Sequence, residues 1–213
     1  VTVNGANASA NFTSQLQTYT LSGTISGTGG NGAKVTLSGT SSATATASST
    51  GAYSFTVTNG SYTVTPTKTG YIFTPASKAV KVSDDNTSAN FTSAQTYTIT
   101  GTISEAGGNG ATVTLSGTSS ATTTASSTGA FSFTVTNGSY TVTPTKTGYI
   151  FTPASKAVTV NGANTTASFT SAQTYSITGT ITGVGGAGVT VSLSGSATAT
   201  TVTNSSGAFT FSG

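Results

Sequence analysis

The 213-residue chain contains no cysteine, histidine, methionine, tryptophan or arginine, and charged residues make up only 4% of it. Without cysteine there is no disulfide staple and no thiolate to serve as nucleophile or metal ligand. Without histidine, a serine or threonine nucleophile has only lysine to act as its base. Lys68 and Lys146 recur in matching contexts, as do Lys78 and Lys156, and this favours a structural use such as guarding exposed strand edges. The acids are Asp84, Asp85 and Glu105, too few and too scattered to supply the carboxylate pair of a glycosidase. These absences point to a chain that is not an enzyme and has no cofactor. A net charge of +3 from six dispersed lysines, with no basic cluster and no interleaved aromatics, argues against nucleic acid as a partner. No apolar run reaches the length of a membrane-spanning helix. An outer-membrane barrel is disfavoured by the absence of aromatic girdles, so no membrane insertion is expected.

What the chain does have is repetition. Residues Thr18–Gln95 recur as Thr96–Gln173 with 65 of 78 positions identical, and a third copy opens at Thr174 and runs to Gly213. Residues 1–17 match the end of a repeat. The expected organisation is therefore 1–17 as the C-terminal strands of a preceding or partner-completed repeat, 18–95 and 96–173 as two full repeats, and 174–213 as the N-terminal half of a third. Fixed-period self-similarity marks one structural unit used several times. Serine and threonine supply roughly two fifths of the residues, a share that alone would suggest disorder, but 34% are apolar and alternate with the hydroxyl residues as in strands.

Within one repeat, Tyr19, Leu21, Gly23 and Ile25 alternate with small polar residues and predict a first strand. Val35 and Leu37 predict a second, Ala43 to Ala47 a weak third at an edge, and Tyr53, Phe55 and Val57 a strong fourth. Asn59-Gly60 predicts a tight hairpin, because that pair tolerates the positive φ of a type I′ turn. Tyr62 and Val64 form the returning strand, and Pro66 marks its end or an edge. Gly70 to Pro75 reads as a bend that turns its aromatics inward. Val80 and Val82 lie on a sixth strand, and Ala89 and Phe91 on a seventh. Seven short strands with frequent turns predict an all-β chain of tandem seven-stranded, Ig-like or transthyretin-like β-sandwich repeats.

The segments Ser22-Gly23-Thr24-Ile25, Val35-Thr36-Leu37-Ser38-Gly39, Gly51-Ala52-Tyr53-Ser54-Phe55, Asn59 to Val64 and Gly70 to Pro75 carry a family signature. Together they resemble the carboxypeptidase-regulatory-like domains, relatives of the transthyretin-like fold and of the B-type repeats of surface adhesins. The resemblance implies a β-sandwich used as a spacer in surface or secreted proteins. In the adhesin repeats it also implies a Lys to Asn or Asp isopeptide bond promoted by a buried Glu. Lys34 and Asn90 are the matching positions, but they become Thr112 and Ser168 in the second repeat and no Glu corresponds to the catalytic one. Lys34 is therefore expected on the solvent face of its strand.

Two groups of site candidates remain. Tyr71 and Phe73, with Tyr149 and Phe151, would offer an aromatic platform to a sugar ring or else pack in the core. Asn-x-Ser/Thr acceptor sequences occur at Asn7, Asn11, Asn59, Asn86, Asn90, Asn137, Asn164 and Asn204, and glycans there would hydrate a surface that has little charge. Asp84-Asp85-Asn86 is the one cluster of hard oxygen ligands, but its counterparts Gly162-Ala163-Asn164 and Gly5-Ala6-Asn7 remove a calcium ion common to all repeats. It reads as a polar turn, and no metal is expected.

The functional expectation is a non-enzymatic element of an extracellular filament or cell-surface adhesin stalk. Its main partner is another copy or a head-to-tail neighbour, with strand complementation as a means of assembly. A carbohydrate-binding array on a secreted or surface protein is the alternative, and an ice-binding surface a weaker third.

Overall fold

The computed structural model describes residues 2–5, 7 and 9–212, and every regular element among them is a β-strand. The first repeat contributes β1 (Tyr19–Ser26), β2 (Lys34–Gly39), β3 (Ala43–Thr46), β4 (Ala52–Val57), β5 (Gly60–Thr67), β6 (Tyr71–Thr74), β7 (Lys78–Val82), β8 (Thr87–Ser88) and β9 (Phe91–Gln95). One sheet runs β4-β1-β9-β6 with β8 also on β1, and the other runs β3-β2-β5-β7. Period-2 alternation puts one face of each sheet inward. Tyr53, Phe55 and Val57 of β4 are buried while their neighbours are exposed. Leu21, Ile25 and Phe91 from the first sheet join Val35, Leu37, Tyr62, Val64 and Val82 from the second in one core. Burying a side chain such as Leu37, which is 0% exposed, contributes about 1.5–3 kcal/mol.

The second repeat builds the same sandwich from β10 (Tyr97–Ser104), β11 (Thr112–Gly117), β12 (Ala121–Thr124), β13 (Ala130–Val135), β14 (Gly138–Thr145), β15 (Tyr149–Thr152), β16 (Lys156–Val160), β17 (Thr165–Thr166) and β18 (Phe169–Gln173). Its sheets run β13-β10-β18-β15, with β17 on β10, and β12-β11-β14-β16. The core, from Ile99 to Phe169, contains no residue of the first repeat. The compact units are residues 1–96 and 97–213.

Each repeat has nine strand segments where the sequence pattern suggests seven. The bend at 71–74 extends far enough to pair with β9, Tyr71 opposite Gln95 and Thr74 opposite Thr92. The short β8 pairs with Leu21 and Ser22 of β1. A larger departure concerns Asn59-Gly60, which is not a hairpin turn. β4 pairs with β1, whereas β5 pairs with β2 and β7, so residues 58 and 59 carry the chain from one sheet to the other. Packing of the two sheets overrides the local turn preference, and Gly60 instead makes room for a neighbour: a Cβ there would stand 2.2 Å from Thr40 Oγ1.

The first and last strands of each repeat are side by side and parallel. Ile25 is opposite Phe91 and Ser26 opposite Thr92; Ile103 is opposite Phe169 and Ser104 opposite Thr170. Between β8 and β9 the chain presses so closely on β1 that only glycine fits: a Cβ on Gly23 would stand 1.9 Å from the Ala89 carbonyl oxygen, and Gly101 meets Ala167 in the same way.

The third copy contributes β19 (Ser176–Thr180), β20 (Thr190–Leu193), β21 (Ala199–Val202) and β22 (Ala208–Ser212), paired β19 with β22 and β20 with β21. Ile177 is 52% exposed, where its counterparts Leu21 and Ile99 are 0%. Thr203 is buried and bonds to the loop beside it, accepting from Val189 N–H at 2.8 Å and donating to the Gly186 carbonyl at 2.7 Å. The two strands expected within residues 1–14 do not form among the described residues of that segment (2–5, 7 and 9–14), and Phe12 is 92% exposed. Strands of this kind owe their pairing to a neighbouring sheet, and no sheet pairs with these residues. Val1 and Gly213, the ends of the expected domains, lie outside the described residues, as does Ala6 of the polar-turn counterpart.

Candidate functional site

The turn between β5 and β6 builds one surface feature that both complete repeats share. Lys68, Thr69 and Gly70 reverse the chain, with Gly70 at φ 78° and Tyr71 N–H donating to the Lys68 carbonyl at 3.2 Å. The Lys68 ammonium donates to the Asn31 carbonyl at 2.6 Å and stands 4.9 Å from the Tyr71 ring centroid. In the second repeat Lys146 donates to the Asn109 carbonyl at 2.5 Å and to that of Ala106 at 3.4 Å, and lies 4.8 Å from the Tyr149 ring. The Lys68 groove has a volume of about 690 Å³ and is lined by Lys34, Pro66, Tyr71, Ile72 and Phe73 among others. Its counterpart, of about 720 Å³, has Thr112, Pro144, Lys146, Tyr149 and Phe151.

Tyr71 and Phe73 thus reach one groove, but in different roles. Phe73 and Phe151 are half-buried and pack on the cores. Tyr71 and Tyr149 line the grooves, and a lysine ammonium stands over each ring, a favourable cation–π contact. A sugar would have to use the remaining ring surface, with Ile72, which is 49% exposed, beside it in the first repeat. Lys34 is exposed on β2, as the pattern of its strand requires. Lys78 begins β7, an edge strand.

The asparagines do more than the acceptor motif suggests. Asn86 Oδ1 accepts from Thr20 N–H at 2.8 Å, and Asn90 Oδ1 accepts from Thr24 N–H at 3.0 Å. Asn90 thus acts as a carbonyl in the gap between the β8 and β9 pairings of β1, and Asn86 does so just before the first of them. Asn164 repeats the first bond to Thr98 at 2.9 Å, while Ser168 replaces Asn90 with a longer 3.4 Å bond to Thr102. Asn59 and Asn137 each bind the neighbouring turn, through Asp84 N–H and Gly162 N–H, both at 2.8 Å. Asn204 accepts from Ser206 and Ala208 N–H in an Asx turn. Asn7 and Asn11 are exposed. The signal for this bonding was present in the repeats themselves: Asn86 and Asn164 keep their identity while the three residues before them all change.

At the polar turn, Asp84 adopts φ 60° where Gly162 adopts 76°. Its carboxylate accepts from Asn59 Nδ2 at 2.7 Å and from the Tyr19 hydroxyl at 3.0 Å. These two bonds hold its pKa below the ordinary carboxylate value. Burial, and then the Asp84 carboxylate, push the Tyr19 hydroxyl up. Tyr53, whose hydroxyl donates to the Ala89 carbonyl, is pushed up to about 12 by burial.

Two-sheet repeats, a glycine-tight seam between the first and last strands and a recurring lysine–tyrosine groove define a tandem β-sandwich protein of the carboxypeptidase-regulatory-like kind. The chain belongs to the family described as BOS complex subunit NOMO1-like, second beta sandwich domain, whose model matches residues 16–95 and again 94–174. No curated protein sequence matches it. Among solved structures it is similar to the Bacillus anthracis TIE protein, at 16% identity and TM-score 0.35, covering 92% of this chain and 43% of that one. It is also similar to the shaft pilin SpaA from Lactobacillus rhamnosus GG, at 14% identity and TM-score 0.33, covering 75% and 98%. A third is GBS52, the minor pilin of Streptococcus agalactiae, at 11% identity and TM-score 0.34, covering 73% and 96%. This chain thus spans less than half the length of the TIE protein.

Proposed function

We propose that this chain is a non-enzymatic structural spacer, one stretch of a stalk or filament shaft outside the cell, whose reach is set by the number of repeats. The observation that supports it is the join between repeats: β9 ends at Gln95 and β10 begins at Tyr97. One residue leaves little slack between two sandwiches that each have their own core. Each complete repeat begins at one pole of its first sheet and ends at the other, as a length-setting unit must. At about 3.3 Å per strand residue, the span from Thr87, opposite Leu21, to Gln95 is on the order of 3 nm.

Solution scattering on chains with two, three and four complete repeats tests this. The maximum dimension should grow by about 3 nm per repeat; a compact particle whose dimension stays nearly constant would refute the spacer reading.

Self-association fits the same role. Residues 10–17 place Phe12 where β9 has Phe91 and β18 has Phe169. A neighbouring copy's 10–17 segment would add to β19 as β9 adds to β1. Sedimentation should show assemblies that dissociate in Phe12→Asp, and a monomer at all concentrations would count against complementation. A carbohydrate-binding array is the second reading, favoured by recurrence of the lysine–tyrosine groove; glycan binding lost in Tyr71→Ala with the fold intact would support it.

A further inference from the structure

We infer that each complete repeat is a force-bearing clamp, in which tension on the chain is resisted by shear across the seam between its first and last strands. This goes beyond the spacer reading, since a spacer need only hold a distance.

The argument starts from strand direction. β1 and the β8–β9 segment run parallel, so the N-terminal end of β1 and the C-terminal end of β9 lie at opposite ends of the seam. Tension transmitted through the chain enters at Tyr19 and leaves at Gln95. It pulls the two strands past each other along their own axes. All the bonds across the seam are then loaded together, whereas opposite polarity would let them open one at a time. The same pull slides β1 along β4 and β9 along β6, both antiparallel partners on the outer sides of the seam.

Side chains add to this seam in the first repeat. Asn86 Oδ1 accepts from Thr20 N–H and Asn90 Oδ1 from Thr24 N–H, at 2.8 and 3.0 Å. Ala89 N–H donates to the Ser22 carbonyl at 2.9 Å. Ser93 Oγ donates to the Ser26 carbonyl at 2.7 Å and accepts from Gly29 N–H at 3.0 Å. Tyr53 fastens the middle of the seam from β4 by its bond to the Ala89 carbonyl.

The second repeat keeps the strand polarity and most of these bonds, through Asn164, Ala167 and Ser171. Two of the bonds change. Ser168 replaces Asn90 with a bond of 3.4 Å, at the long limit of a hydrogen bond. Phe131 replaces Tyr53 and has no hydroxyl to donate. The second clamp is therefore the weaker, and forced unfolding, which is governed by the unfolding rate, should read the difference.

Single-molecule pulling on the full chain tests this directly. Because the chain has no cysteine, introduced ones are unique handles. With Gln17→Cys and Thr174→Cys, two unfolding events of similar contour gain but unequal force are expected. Asn90→Ser should lower the stronger event toward the weaker, and Tyr53→Phe should do likewise. With Gln17→Cys and Asp85→Cys, the handles sit at the same end of the first seam and open it one bond at a time, so the force should fall severalfold. The contour gain confirms in each case that a folded repeat was pulled. Equal forces in the two geometries would overturn the clamp, and two unequal events left unchanged by both substitutions would overturn its assignment to this seam. Either result would leave the scattering measurement of repeat length untouched.

Discussion

Position 84 shows how one residue makes two nearly identical repeats respond differently to their surroundings. The turn needs a positive φ, which Gly162 adopts without a side chain to strain, whereas Asp84 adopts it and gains bonds from Asn59 and Tyr19. Because those bonds favour the carboxylate, the folded-state pKa of Asp84 is lowered. The stability this contributes is fully present above the ordinary carboxylate value of about 3.9 and is lost as pH falls through the lower folded value. Amide exchange followed by NMR should show protection in residues 19–95 falling below about pH 4 through this group, with Asp84→Gly removing that component. The second repeat, with glycine at 162, lacks the dependence. Asp84 reads as a polar turn in the sequence, and the turn is where it lies. Its partners were not legible, since nothing local links Asn59 to a residue 25 positions away.

At the scale of the element, the strands with clear alternation were legible, because period-2 burial is written directly into Tyr53, Phe55 and Val57. The pairing partners were less so. Asn59-Gly60 has the chemistry of a hairpin, and the two strands it joins belong to different sheets. Local propensity states how a turn can be made; which sheet each strand joins is decided by the packing of both. The lysine–tyrosine groove was half legible for a similar reason: the aromatics at 71 and 73 stand out, but the lysine over the Tyr71 ring depends on how the 68–70 turn folds back. The parallel seam gives the sharpest test at this scale. Gly23→Ala places a methyl group against the Ala89 backbone, which has no flexible end to move aside. A loss of about 1–3 kcal/mol or more is expected for the first repeat in denaturant titration, and Gly101→Ala should do the same to the second. A stability change within about 0.5 kcal/mol, as for an ordinary surface substitution, would show that the seam is looser than its geometry.

The whole molecule is a series of sandwiches whose two complete cores share no residue. Separate cores make separate folding units, provided each buries enough apolar surface by itself; a domain of about this size is marginal and depends on every large core side chain. Leu37 and Leu115 occupy the same place in the two repeats, each paired across its sheet to a valine, Val64 or Val142, and each 0% exposed. Truncating such a leucine to alanine costs about 2–5 kcal/mol, against a total of about 5–15 kcal/mol for a typical domain. Leu37→Ala should therefore bring the first repeat close to unfolding, and Leu115→Ala should do the same to the second. Hydrogen exchange resolved by residue is the measurement, because the near-identity of the repeats makes their bulk spectra overlap. In Leu37→Ala, amides of β1 to β9 should lose protection while those of β10 to β18 keep it, with the reverse pattern in Leu115→Ala. Loss of protection in both repeats from either substitution would mean that they fold as one cooperative body. Tension would then be borne by the pair as a unit, and adding repeats would change stability as well as length.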